Sequence, residues 1–310
     1  MIKAATRNLL WGFLGLAGFG FVAQSIMAAL DERVPAPGRL VDVDGHLMHI
    51  QCSGDGDPTV LLETISDGTA AYWGLVQELL SPVTRTCSYD RAGRGWSEPG
   101  PEPRDANAIS NDLHELLRNA SISPPYVLVG HSAGGLFALR FAQRYPDTIG
   151  ALVLLDSAAP DQATLDPSYI TDLEKTRDMV GVMRWLSYFG VERLVGALLG
   201  RPEALPAPSR HAMARAYASS AYWASLYHEL QARRASDAQV AQGGSLRDTP
   251  LTVAIAAVGG SPQTQQRLAT LSSNSAIATI NEATHMSLIF DRRHAQAVAE
   301  LVRARVETMR

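Results

Sequence analysis

The stretch Val127-Leu128-Val129-Gly130-His131-Ser132-Ala133-Gly134-Gly135, VLVGHSAGG, decides how the rest of the chain is read. Its first half belongs to an apolar run beginning at Tyr126, and its second half opens the helix-patterned GLFALRFAQRY. Residues 130–134 therefore form G-x-S-x-G at a strand-to-helix junction, the setting a nucleophile elbow requires. The small residues Gly130, Ala133 and Gly134 permit a tight, strained turn that lifts a hydroxyl above a sheet. The helix N-terminus behind the turn favours developing negative charge. Ser132 is thus the candidate nucleophile, with no carboxylate beside it to help.

On either side, β-branched runs alternate with helical patterns. Strands are predicted at LVDV (40–43), HLMHIQ (46–51), TVLLE (59–63), RTCSYD (85–90), YVLVG (126–130), ALVLL (151–155), LTVAIAA (251–257) and AIATI (276–280). Between them lie WGLVQELL, ISNDLHELLRNA, GLFALRFAQRY and, at the end, HAQAVAELVRARV. This alternation implies an α/β fold with a mostly parallel sheet covered on both faces. Only Asp44-Gly45 separates the first two strands, a hairpin signal, so the sheet should begin antiparallel. From Ser157 to Asp248 no strand is predicted, whereas residues 179–200 and 212–234 are helix-patterned and rich in Trp, Tyr, Leu and Met. Residues 157–248 are therefore expected to be a helical cap on a core made of 39–156 and 249–310, lining a largely apolar pocket for a small-molecule substrate with an apolar part.

A 310-residue chain with 46% hydrophobic residues can bury a large core, which argues against disorder. Its net charge of -4 lacks the basic excess that neutralises phosphates, so nucleic acid is not an expected partner. Metal-spaced His/Cys/Asp clusters and phosphate-binding glycine loops are absent from the sequence, so no metal or organic cofactor is expected. Cys52 and Cys87 sit in strand-like segments and fit an exported chain with one disulfide, the alternative being two buried thiols.

Residues 1–33 stand apart from the globule. Asn8 to Leu30 carry no charge, and at about 1.5 Å per residue they span roughly the hydrocarbon thickness of a bilayer. Lys3 and Arg7 precede this run while Asp31 and Glu32 follow it. The expectation is a single-pass anchor through 8–30 with a cytoplasmic N-terminus and a periplasmic or extracellular catalytic domain. The alternative is a secreted chain cut after a signal peptide near Ala28-Ala29.

The elbow, SYDRAGRGWSEPG (88–100), FAQRYPDTIGALVLLD (141–156) and INEATHMSLIFD (280–291) together resemble the α/β-hydrolase fold family over nearly all of residues 39–305. The second segment resembles that family's Asp-x-x-Gly-x-Gly-x-Ser loop, and the last its catalytic-histidine loop. The resemblance implies a triad in the chain order Ser, acid, His. His285 stands where the histidine belongs; His46, His49, His114, His211, His228 and His294 fall elsewhere, and His131 is expected to point away from Ser132.

The family's usual acid position follows LTVAIAA, but the loop AVGGSPQ there has no carboxylate. Asp156 ends ALVLLD on the same sheet edge as Ser132, where some family members place their acid, and is the preferred candidate. Glu282, three residues before His285, is the alternative. The resemblance further assigns the oxyanion hole to the backbone amides of Ala133 and, counting back from Trp73, Ser66. Ile65 occupies the place of the family's glycine, a departure from its pattern. The expected activity is carboxylic-ester hydrolysis through an acyl-enzyme, since a serine argues against the aspartate-dependent epoxide hydrolases and dehalogenases. Other serine chemistries (acyl transfer, peptide-terminal or carbon-carbon hydrolysis, cofactor-free peroxidation) and a non-catalytic binding module are the alternatives.

Overall fold

The computed structural model describes residues 2–31, 33–193 and 204–310. After helix α1 (Ile2–Asp31), β1 (Arg39–Val43) and β2 (His46–Ser53) form the hairpin, turning through Asp44 and Gly45 with φ of 50° and 91°. β3 (Thr59–Glu63), α2 (Gly74–Leu80), β4 (Thr86–Tyr89), α3 (Ala106–Asn119), β5 (Tyr126–His131), α4 (Ala133–Arg144) and β6 (Ile149–Leu155) follow in alternation. No strand occurs between β6 and β7 among the described residues. That interval contains α5 (Tyr169–Leu186), α6 (Ala207–Tyr217), α7 (Ser220–Gln231) and α8 (Arg233–Gln242). The chain then returns to the sheet with β7 (Leu251–Val258), α9 (Pro262–Ala269), β8 (Ser275–Thr284) and α10 (Arg292–Glu307).

The eight strands are ordered β1-β2-β4-β3-β5-β6-β7-β8; β2 is antiparallel to both its neighbours and the rest of the sheet is parallel. Because side chains alternate along a strand, each buried strand feeds two cores. Leu61, Leu128, Leu152 and Leu154 point to the layer containing α3, α4 and Val240 of α8. Val60, Leu62, Val127, Val129, Val153 and Leu155 point to the opposite layer, with α2 and α10. This two-sided burial explains why these strands read as unbroken apolar runs. The connections from β3 and β5 leave in opposite directions across the sheet, so a crevice opens beyond their C-terminal ends, the usual place for a ligand site in such sheets.

Cys52 and Cys87 face each other in the β2–β4 register and form a disulfide. The helical pattern at 212–234 is interrupted at Ala218-Ser219, giving α6, α7 and the start of α8 in place of one helix. Of the helical stretch expected over 179–200, α5 covers the beginning and actually starts earlier, at Tyr169; positions 194–200 lie outside the described residues. α1 is long and apolar enough over Leu14–Asp31 to cross a membrane.

Candidate active site

Ser132 occupies the one-residue corner between β5 and α4, with φ 57° and ψ −125°. A non-glycine residue held at positive φ stores backbone strain, and its surroundings must fix it there. Here the Ser132 amide donates to the Leu155 carbonyl (3.1 Å), and the Ser132 carbonyl accepts from the amides of Gly135 (3.0 Å) and Ala158 (2.9 Å). The corner's glycines are required by close approach. A Cβ on Gly134 would collide with the Thr64 carbonyl oxygen, and one on Gly135 would strike the Ser157 side chain.

β5 and β6 run in parallel register with His131 beside Leu155, so Asp156 emerges one residue past the sheet edge from which Ser132 emerges. Asp156 also has positive φ, 39°, and its amide donates to Ala254 of β7 (2.8 Å), which turns it across the strand ends. Its nearly buried carboxylate meets His285, on the loop after β8, with Oδ2 2.6 Å from Nδ1. An ionised carboxylate only accepts hydrogen bonds, so Nδ1 is the donor here, which in the neutral imidazole leaves the lone pair on Nε2. Gly260, in the loop after β7 that lacks an acid, leaves room for this arrangement: a Cβ there would lie 2.9 Å from Asp156 Oδ1. Glu282 is not brought to the imidazole. It lies at the surface in an ion pair with Arg293 (2.6 Å).

His131 is fully buried with its ring centroid 4.6 Å from that of His285 and 6.4 Å from that of Trp73. Burial, and then the neighbouring His285, hold its pKa well below the ordinary histidine value. It is therefore a neutral wall against the imidazole, a role the sequence reading did not assign. Period two along β5 is the signal that places it on the Trp73 side of the sheet.

The loop after β3 sits hard against the start of α4 and is organised by Arg91. This buried guanidinium donates to three successive carbonyls, Thr64 (2.9 Å), Ile65 (2.8 Å) and Ser66 (3.0 Å). In a trans peptide the next residue's N–H points opposite to the carbonyl, so the amides of Ile65, Ser66 and Asp67 turn away from Arg91. Ala133, first residue of α4, has an amide with no partner inside its helix. Ile65, at the family's glycine place, is buried with Trp73 and Leu75 in the core. Arg91 is neutralised by Glu63 of β3 (2.6 Å) and Glu229 of α7 (3.0 Å), and Glu229 also receives Arg94 (2.8 Å). Burial pushes Glu229 up, but Arg91 and Arg94 outweigh it and hold the carboxyl below its ordinary range. For Glu63 burial prevails over Arg91 and Tyr89, and its pKa is raised. α7 thus grips the loop, through Arg91 by Glu229 and directly by Tyr222, whose hydroxyl donates to the Asp67 carbonyl (2.6 Å). Arg91 lies within the DRAGRGWS motif, and the sequence reading missed it because only the fold shows a buried cation facing those carbonyls.

The His49 ring bonds Asp90 through Nδ1 (2.7 Å), and Asp90 accepts from the amides of Ala70 and Trp96, so this pair ties β2 and the loop after β4 to the segment that follows β3. Among the described residues no cluster of metal-ligating side chains occurs.

Residues 57–244 match the alpha/beta hydrolase fold family, and the chain belongs to it. An uncharacterised protein of Schizosaccharomyces pombe is 29% identical over 203 residues, covering 56% of this chain and 37% of that protein. The chain thus spans well under two thirds of this relative's length. Among solved structures, Cfl2 from Burkholderia cenocepacia is similar with a TM-score of 0.68 and 23% identity, covering 86% of this chain and 95% of that one. An epoxide hydrolase of Bacillus megaterium, crystallised with an inhibitor, has a TM-score of 0.67 at 15% identity, covering 85% and 99%. At these identities the structural likeness speaks for the fold alone.

Proposed function

We propose that this hydrolase-fold protein is a membrane-anchored serine hydrolase acting on carboxylic esters with an apolar part. The 2.6 Å Asp156–His285 contact at the same sheet edge as the strained Ser132 carries the reading. Ser132 Oγ attacks the ester carbonyl while its proton passes to His285 Nε2, and Asp156 holds the imidazole in the required tautomer. The tetrahedral oxyanion is received by the amides of Ala133 and Ser66, a role supported by the outward turn that Arg91 imposes on the loop. Collapse expels the alcohol, which takes the proton from His285, and leaves an ester between the acyl group and Ser132. Water then attacks this acyl-enzyme, with His285 taking its proton, to release the acid and restore Ser132. The apolar run 8–30 anchors the chain with its catalytic domain on the periplasmic or extracellular side.

The test is fluorophosphonate labelling of the full chain together with hydrolysis of a short p-nitrophenyl ester. Labelling at Ser132, and loss of about three or more orders of magnitude in turnover on Ser132→Ala, are expected. An unlabelled parent, or an alanine variant that turns over as fast, refutes the activity.

A further inference from the structure

The second half of α5 and the turn after it expose an apolar stripe. Met179, Val182 and Trp185 are 60%, 59% and 69% exposed, and Leu186 and Phe189 extend the stripe at helical spacing. An apolar face this large on a surface marks a contact with protein or lipid. The packing of α1 identifies which. The turn at 187–189 lies on α1, where a Cβ on Gly20 would fall 2.9 Å from the Phe189 carbonyl oxygen. Further along α1, Gln24 donates to the Ala218 carbonyl (2.8 Å), Arg193 donates to Gln24 (2.7 Å), and Arg193 pairs with Asp31.

Gly20 and Asp31 are eleven residues apart, roughly 16 Å along a helix, about half of a bilayer's hydrocarbon thickness. A bilayer that takes in α1 therefore also reaches the turn fastened beside Gly20. At the same level of α1, Phe19, Val22 and Ile26 are exposed as well, so both elements present apolar side chains at this depth. Lys175 and Asp178 stand exposed at the middle of α5, just before the stripe and suited to headgroups, while the one basic side chain within the following apolar, Trp-bearing half, Arg184, lies over the Tyr227 ring.

We infer that the C-terminal half of α5 and the turn to Phe189 insert into the leaflet facing the catalytic domain, alongside α1. The inference rests on α1 being an anchor. The same group of helices grips the loop at the active site through Glu229 and Tyr222, so the inserted surface brings the site to esters dissolved in the bilayer.

The full chain carrying Trp11→Phe, which removes the anchor's own tryptophan, is reconstituted into phosphatidylcholine vesicles containing a phospholipid with a nitroxide high on its acyl chain. Quenching of tryptophan emission is expected, and a further Trp185→Phe should remove most of it. Val182→Asp with Trp185→Asp should slow hydrolysis of a long-chain ester embedded in the vesicles by about tenfold or more, because charge is costly in hydrocarbon. Hydrolysis of a soluble short ester should be unchanged. A chain retained after alkaline carbonate washing but unquenched at Trp185 overturns the insertion, and a face covered by a second copy would read the same way. A chain released by carbonate refutes the anchor together with the insertion. The quenching is independent of turnover, so an inactive protein refutes the hydrolase reading and leaves the insertion standing on its own measurement.

Discussion

Asp156 and Glu282 compete for one histidine, and their surroundings separate them. Asp156 is tied by its own amide to β7 and lies against His285, whereas Glu282 stands at the surface on Arg293. Asp156→Asn should lower turnover by about 10³- to 10⁴-fold, since an amide permits the wrong imidazole tautomer, while Glu282→Gln should leave turnover within about twofold. Steady-state kinetics on a soluble ester decides between them; the reverse ranking would make Glu282 the acid. The identity of Ser132 and His285 as candidates could be read from G-x-S-x-G at a strand-helix junction and from chain order. Asp156 could be preferred from its place at the end of the strand after the nucleophile helix, but the choice against Glu282 depends on where β6, β7 and β8 end relative to one another. Gly260 illustrates the same limit: in sequence it belongs to a loop without the expected acid, and in space a side chain there would crowd Asp156.

Elements carry the next set of dependencies. Arg91 links β4's loop, the end of β3 and α7, with Glu63 and Glu229 as its counterions. Glu229→Gln leaves two buried guanidinium groups undercompensated and should destabilise the fold by about 3–5 kcal/mol, measured by urea unfolding in detergent. Glu229 has a depressed folded pKa, so its stabilising effect is fully present above the ordinary glutamate value and is lost as pH falls through the folded value. The stability gap between parent and Glu229→Gln should accordingly narrow when pH drops below about 4. Arg91→Lys preserves charge but not the three-carbonyl grip. It should cost turnover more than stability, as the loop amides lose their common orientation. The Cys52–Cys87 bridge spans 35 residues, and its removal by Cys52→Ser with Cys87→Ser should lower stability by about 4 kcal/mol in the chain-entropy account, visible as a reduced urea midpoint.

Across the whole molecule, α1 and the turn after α5 pack together at Gly20 and Phe189, and each carries exposed apolar side chains nearby. Neither surface announces the other in sequence: α1 is recognised by its uncharged length, and the α5 stripe is diluted among charged neighbours until the fold aligns it. The strands, the hairpin at Asp44-Gly45 and the elbow were legible because local periodicity and turn chemistry act over a few residues. The break between α6 and α7 was not, since Tyr217 of α6 meets Tyr222 and Trp223 of α7 across it, a contact that tertiary packing imposes on a helix-compatible sequence. Side-chain period and glycine placement are local properties, so the order of residues alone dictates an α/β sheet with a serine at the C-terminal edge of its fifth strand. Folding alone settles which carboxylate faces His285, that Arg91 orients the loop packed on the start of α4, and that the turn after α5 lies against α1. Each of those depends on strand order and on contacts between residues distant in the chain, which no local pattern encodes.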